Sequence, residues 1–552
     1  MSGLAGLFRI GGPAETAPLL RMARALDARG PDGRVEEPLP VGALAVTVGA
    51  PGEPDGGVAW DPSRRWCVAA DGELLNARAL LAELRAWGEE PGETSAAIAA
   101  AMFATRGFEG ALERLAGDVA IVAWDATERR LWAARDRAGL RPLHWAALPD
   151  GTLLVASEPA ALLAHPGVDP APDPDALREA LAFGAPLPPR TPWRAVRALA
   201  PGELVTWDGG APAVKRWWDD AANPSGADGA RYRWARSVQF GTELAIQQRV
   251  AVDVPVAVAL SGGVYAEALL VGAAARRREP ILALTLDAEG AVPEGRAAAT
   301  AARARAKHVV VPLPVRDVAG LLAETVANEP LLAPEALGWR ALTRAAFDGG
   351  AEVLLTGVGG ASLYGGTPFP LVERAASLPG LGVFGRAARA GARGGEGWAH
   401  RHVRRRLEVD DAPWTALDAL VGTCPSTDPT GGALWLERRL DAGVSLAVLD
   451  RAAAAHGLRA QSPYADAPLV KLVATVPIGH LVQVRRPRGL FLDALAERLA
   501  PEPPGHRPMD LPVAAWLDAV GTAGVAEALE GVLPGDTTRA ALDPRAPARR
   551  RW

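Results

Sequence analysis

With 552 residues, 49% apolar and 22% charged, the chain can form two to four domains with proper cores and has ordinary globular composition. A net charge of −5 and a pI near 6.0 argue against nucleic acid or an anionic membrane surface as partner. Cys67 and Cys424 are too few for a disulfide framework and fit neither zinc nor iron–sulfur spacing, so a reducing cytoplasm is expected; no apolar run approaches the ~18 residues of a membrane span, and no basic start precedes an apolar segment.

In chain order, residues 1–218 read as short strands between Gly, Pro and Asp turns: Leu4–Ile10, Leu44–Val48, Trp66–Ala70, Val119–Trp124 and Leu153–Ala156. Helical periodicity appears at Leu80–Trp87 and 94–104, which predicts an α+β layered domain. Residues 219–230 hold only small, polar and turn-forming residues and are the best linker. A second domain is expected over 231–530. It opens with a helix at 231–250, then alternates strands (Val254–Leu260, Ile281–Leu286, Val309–Leu313, Ala351–Thr356) with helices to Arg278, at 293–306 and at 315–328. That rhythm predicts an α/β domain with a parallel sheet, followed beyond 370 by a helical extension. Residues 531–552 are expected to form a poorly ordered tail, and the arginines of 401–406 a solvated face.

The sharpest chemical signal is the apolar strand 256–260 running into Ser261-Gly262-Gly263 and then a helix. Glycines let the backbone approach an anion, amides at a helix start hold it, and the serine hydroxyl adds a donor. In an open parallel sheet, ligands bind at the carboxyl ends of the strands. About 95 residues on comes a second glycine-rich turn, Thr356-Gly357-Val358-Gly359-Gly360-Ala361-Ser362-Leu363-Tyr364-Gly365-Gly366.

These segments resemble those of the asparagine synthetases and their relatives, the β-lactam synthetases and lasso-peptide macrocyclases. In that family the first loop continues Ser-Gly-Gly-Leu/Val-Asp-Ser; here Tyr265 and Ala266 replace the magnesium-holding aspartate and the phosphate-contacting serine. The second family segment reads Ser-Gly-Glu-Gly-Ala-Asp-Glu-Leu-Phe-Gly-Gly. Here the glycine scaffold is kept, and Val358, Ala361 and Ser362 replace its acids. The stretch from His456 to Asp466 is similar to His-Gly-Leu-Glu-Val-Arg-x-Pro-Phe-Leu-Asp, with Gln461 for the arginine, and Arg488 and Leu492 loosely match a later Lys-x-x-Leu-Arg helix. The resemblance implies ATP and magnesium as cofactors. If nucleotide binding persists, it assigns it to Leu260, Ser261, Gly262, Gly263, Leu284, Gly357 and Gly359.

The front of the chain fits the same family, implying a glutaminase-like domain of the N-terminal-nucleophile type. Ser2-Gly-Leu-Ala-Gly-Leu-Phe8 is similar to the family's Cys-Gly-Ile-Ala-Gly-Ile-Phe, Arg29-Gly-Pro-Asp-Gly33 matches outright, and Asp71-Gly72-Glu73 resembles Asn-Gly-Glu. Gly117–Asp125 and Ala134–Leu143 follow later family strands. Ser2 stands where the nucleophilic cysteine belongs, Ala43 near an expected carboxylate-binding arginine, and Asp71 where an amide belongs.

Adenylating a carboxylate concentrates negative charge that magnesium and cationic side chains must offset. A phenol, neutral up to a pKa near 10, cannot ligate magnesium as a carboxylate does. Tyr265 is further expected to obstruct the phosphate path, and Asp287 and Glu289 are the nearest acids in sequence. Lysine occurs only at 215, 307 and 471. No metal site and no confident cofactor are expected. The leading expectation is an impaired asparagine-synthetase homologue partnering a precursor peptide or an active homologous enzyme in peptide tailoring. The alternatives are an active glutamine-independent amide ligase, for which missing Cys at position 2 and the phrase Leu449-Asp450-Arg451 speak, and a peptide-binding module using tryptophans such as Trp193, Trp217, Trp218 and Trp234.

Overall fold

A computed structural model describes residues 2–10, 17–49, 57–183, 185–220, 230–250, 254–288, 295–313, 335–366 and 412–500. The helix expected at 315–328, Glu289, the arginines of 401–406 and the expected tail lie outside them. Contacts divide the chain into two compact units. One comprises 1–173, 188–219 and 454–459; the other comprises 174–187, 220–453 and 460–552.

In the first unit, strands β1 (Ser2–Arg9), β2 (Gly33–Leu39), β3 (Gly42–Val48), β4 (Gly57–Trp60), β5 (Trp66–Leu74), β6 (Gly117–Asp125), β7 (Arg130–Ala134), β8 (His144–Ala147), β9 (Thr152–Ala156), β10 (Arg197–Ala198), β11 (Glu203–Trp207) and β12 (Ala213–Arg216) form two six-stranded sheets. Their orders are β10-β8-β9-β1-β3-β2 and β12-β11-β7-β6-β5-β4. Period-two alternation builds the layers. Leu4, Phe8, Leu44 and Val46 meet Cys67, Ala69, Val122 and Trp124 between the sheets. The odd-numbered neighbours Ala5, Leu7, Ala43 and Ala45 face the opposite way, onto Leu19, Met22 and Leu162 of helices Ala17–Arg24 and Pro159–Leu163. On the far side, Trp66, Val68 and Ala70 pack on Phe103 and Phe108 of helix Ser95–Leu112. Helices therefore cover both outer faces of a two-sheet sandwich.

Several of these strands were invisible as apolar alternation. β2 (Gly-Arg-Val-Glu-Glu-Pro-Leu) and β12 are mostly exposed edge strands, so their sequences carry little core pattern.

In the second unit, β13 (Val256–Ala259), β14 (Leu282–Asp287), β15 (Lys307–Pro312), β16 (Val353–Leu355) and β17 (Arg459–Gln461) form one sheet in the order β15-β14-β13-β16-β17. The pairs β13–β14, β13–β16 and β14–β15 are parallel, as the buried, non-alternating strands predict. Helix Arg231–Val250 packs Ile246 and Val250 against Val256, Val258 and Leu269. Arg249 on that helix meets Asp466 at 3.1 Å, both buried, while Asp466 also caps helix Ala467–Ala474 through Leu469 N. Over 412–500 the described residues are largely helical.

One buried acid in the first unit makes stability depend on pH. Asp136 accepts from the amides of Ala138, Gly139, Leu140 and Arg141 at 2.7–3.1 Å. Burial, with Asp118 adding repulsion, nevertheless raises its pKa to about 6. Its protonated form is thus favoured by folding, so its contribution to stability grows as pH falls from about 6 toward the unfolded value near 4 and is lost as pH rises through 6. Chemical unfolding from pH 4.5 to 7.5 should show wild type gaining on Asp136→Asn by about 1–3 kcal/mol toward the acid end. A pH-independent difference would contradict this.

Candidate functional site

Strand β13 runs into the buried Leu260, whose amide bonds Leu284 O at 2.7 Å, and the chain turns sharply at Ser261-Gly262-Gly263. Gly262 has φ +76°, and a Cβ there would meet nothing closer than 3.8 Å, so backbone sign rather than space calls for glycine. Gly263 caps helix Val264–Ala274, and the exposed Ser261 accepts from its amide at 3.4 Å. The second turn follows β16. Gly359 (φ +87°) starts a short helix Gly360–Leu363, and Ser462 Oγ donates to Val358 O at 2.6 Å. Both turns thus lie at the carboxyl ends of adjacent parallel strands, where α/β sheets bind ligands.

Tyr265 joins them. Tyr265 is buried, and its ring lies against the second turn. A Cβ on Gly360 would lie 2.6 Å from two ring atoms, and one on Gly366 would lie 3.0 Å from the phenol oxygen. Gly360, where the resembling segment has alanine, is what makes room for the ring. Phe491 at 4.8 Å, Tyr464 at 5.6 Å and Tyr364 at 6.2 Å between ring centroids complete an aromatic cluster. Tyr464 Oη donates to Tyr265 O at 2.8 Å, and Tyr364 Oη shares a 2.9 Å bond with Thr242. Burial pushes the Tyr364 and Tyr464 phenols well above the ordinary value, so both stay neutral.

The other replaced positions differ in burial. Ala266 belongs to the strand–helix core, and Ser362 is fully buried, donating to Gly359 O at 3.0 Å. Val358 and Ala361 are half-buried. Gln461, at the end of β17, is 3% exposed; its main-chain oxygen accepts from Thr356 N, and its side-chain oxygen has no donor among the described residues. Arg488 holds a left-handed backbone before helix Gly489–Ala494.

Glu267, one turn into the helix after Ser-Gly-Gly, is an acid that sequence reading missed. It is fully buried and bound by Arg296 at 2.6 Å, by Arg303, and by Ala500 N at 2.7 Å. Committed to two guanidiniums, it is no metal ligand. Asp287 ends β14, half-buried. Among the described residues no three His, Cys, Asp or Glu side chains converge as a metal site. Magnesium needs oxygen donors, and this donor set, a phenol, two methyl-bearing side chains and a spent serine, does not fit it.

In the first unit, Ser2 is 1% exposed; its Oγ donates to Asp71 Oδ1 at 2.9 Å and accepts from Gly72 N at 3.2 Å. Asp71 also accepts from Ser157 Oγ at 2.5 Å and lies 3.4 Å from Arg29 Nη2. Arg29 further binds Ser2 O at 2.9 Å and Glu158 at 3.0 Å. Arg29, Ser157 and Glu158 were not singled out from sequence. The Arg-Gly-Pro-Asp-Gly match was the available signal for Arg29; nothing marked the other two. Ala43 is not part of this cluster. It pairs with Leu7 and faces the helix side of its sheet, whereas Ser2 lies farther along β1, opposite Val48. The four tryptophans considered for peptide binding are buried or half-buried, Trp217 donating to Arg135 O at 3.3 Å.

Residues 242–529 match the asparagine synthase family and residues 1–218 the glutamine amidotransferase domain. The chain belongs to the asparagine synthase family. It is 28% identical over 215 residues to asparagine synthetase [glutamine-hydrolyzing] 3 of Bacillus subtilis, covering 38% of this chain and 34% of that one. To a Mycobacterium tuberculosis protein provisionally named asparagine synthetase [glutamine-hydrolyzing] it is 30% identical over 328 residues, covering 56% and 49%. The chain thus spans between a third and a half of the length of these relatives. A solved glutamine phosphoribosylpyrophosphate amidotransferase of B. subtilis shares 15% identity at a TM-score of 0.29, covering 56% of this chain and 81% of that one.

The Tyr265–Gly360 fit gives a sign reversal to measure. Gly360→Ala should destabilise by about 1–3 kcal/mol through overpacking. In a Tyr265→Ala background the same change should stabilise by up to ~1 kcal/mol, because helical alanine is then unopposed. A double-mutant cycle in urea reads the coupling; additive effects would mean the ring and the glycine are independent.

Proposed function

We propose that this asparagine synthase family member is catalytically impaired at both centres and serves as a binding or scaffold partner in peptide tailoring. Its partner would be a precursor peptide or an active homologous amide-forming enzyme. The observation that carries the reading is Tyr265. At the resembling family's magnesium aspartate, an aromatic ring is packed against the second turn, and the buried acid Glu267, two residues on, is neutralised by Arg296 and Arg303. Tyr265, Val358, Ala361 and Ser362 bring no carboxylate with which to hold a cation against the charge of a departing pyrophosphate.

The first unit supports the same reading. Acyl transfer needs donors aimed at a developing oxyanion. Asp71 in ionised form only accepts, and the Gly72 amide is occupied by Ser2 Oγ. The placement nearest the β-lactam synthetase and lasso-macrocyclase branch rests on the missing cysteine and remains part of this proposal.

A second reading, an active glutamine-independent amide ligase, is favoured by one observation: the Ser261 turn is intact, with its hydroxyl exposed at the strand end. Magnesium-dependent exchange of pyrophosphate into ATP, assayed with a panel of carboxylates and peptides, separates the two. Exchange indistinguishable from a no-enzyme control is expected. Robust exchange abolished by Ser261→Ala would establish the ligase instead.

A further inference from the structure

The helical run from Pro429 to Ala454 is interrupted once. Between the α-helices Pro429–Glu437 and Gly443–Ala454, residues Arg438–Ala442 form a single π-turn, with Gly443 N donating to Arg438 O. Such turns are rare inside α-helices and gather at functional positions. The turn holds one extra residue, so all that follows is rotated by about 100° from an unbroken α-helix. Both halves have fixed neighbours. Helix Gly360–Leu363 of the second glycine-rich turn packs on Pro429–Glu437 and on the π-turn itself. Beyond the π-turn, Val444 and Val448 pack with Ala336 and Trp339, and Thr343 Oγ1 donates to Ala452 O at 3.1 Å.

The π-turn closes on one distant carboxylate. Asp220 is 6% exposed; its carboxylate accepts from Arg438 Nε and from Arg439 Nη1, the latter at 2.9 Å, and its main-chain oxygen accepts from Arg438 Nη2 at 2.6 Å. All three residues belong to the second unit. Consecutive residues of an α-helix project about 100° apart. The wider π-turn narrows that angle, and both guanidiniums reach the same group. Arg439 also lies over the buried Trp435 ring, 3.9 Å from its centroid. Burial works against the charged carboxylate, but the two guanidiniums outweigh it and hold its pKa below the ordinary value.

We propose that Asp220 is a conformational clamp, its carboxylate holding 438–442 as a π-turn and, through it, the second glycine-rich turn. Without the carboxylate, two adjacent and largely buried guanidiniums repel each other and lack a partner. The π-turn then relaxes toward an unbroken α-helix at the expense of a packed face. Helix Gly360–Leu363, four residues long and seated on the π-turn, is the neighbour that loosens first. Asp220 lies in the stretch 219–230 that reads as the linker, so the clamp fastens that connection to the ligand end of the sheet.

Hydrogen exchange of the full chain, read by mass spectrometry, tests the clamp. In Asp220→Ala, amides of 438–446 and 358–364 should exchange at least ~10-fold faster than in wild type, while those of β13, β14 and the first unit keep their rates. Deleting Ala442 removes the extra residue and lets an unbroken α-helix keep both packed faces. In that background Asp220→Ala should no longer change exchange at 358–364. Wild-type rates at 438–446 in Asp220→Ala would overturn the proposal, and so would an equal acceleration throughout the second unit, the mark of a general loss of stability. The same response at 358–364 with and without Ala442 would also overturn it. If the deletion variant does not fold, the pattern in Asp220→Ala decides alone.

Discussion

The packing of Tyr265 against the backbone of the glycine-rich turn is the contact around which the second unit's ligand end is arranged. Turns following β13 and β16 sit side by side because their strands are parallel neighbours. Acids placed on both turns would repel unless a cation lay between them. Here a ring spans the gap and Gly360 yields the volume it needs. Tyr364, Tyr464 and Phe491 surround it, and Tyr464 ties back to the main chain of Tyr265. The turns are held by dispersion and burial where a charged site would be held by an ion.

That exchange explains why glycines outlast chemistry. Gly262 and Gly359 hold positive φ, and a Cβ on Gly357 would lie 3.1 Å from Ala266 N, so backbone geometry demands them whether or not a nucleotide binds. Ala266 and Ser362 carry no such demand and have been absorbed into the interior.

A parallel logic governs the first unit. Burying Arg29 and Asp71 is costly unless each is paired and hydrogen-bonded. Glu158, Ser2 and Ser157 complete the pairing, so the cluster is closed electrostatically and its polar groups are spent on one another. Removing either Arg29 or Asp71 leaves the other buried charge short of a partner, which makes the cluster part of the structural core around β1 and β5.

Sequence alone determined the two-part architecture, the parallel sheet, and the identity of the replaced residues, because strand periodicity and glycine-bearing turns are local properties. It did not determine where those residues point. Ala43 lies on the sheet's helix-facing side, and the Tyr265 ring lies against the glycine-rich turn. Glu267 was not singled out at all, yet Arg296, Arg303 and Ala500, 29 to 233 positions away, bind it. Side-chain direction and charge neutralisation depend on partners distant in the chain, and only the tertiary structure brings those partners within bonding distance.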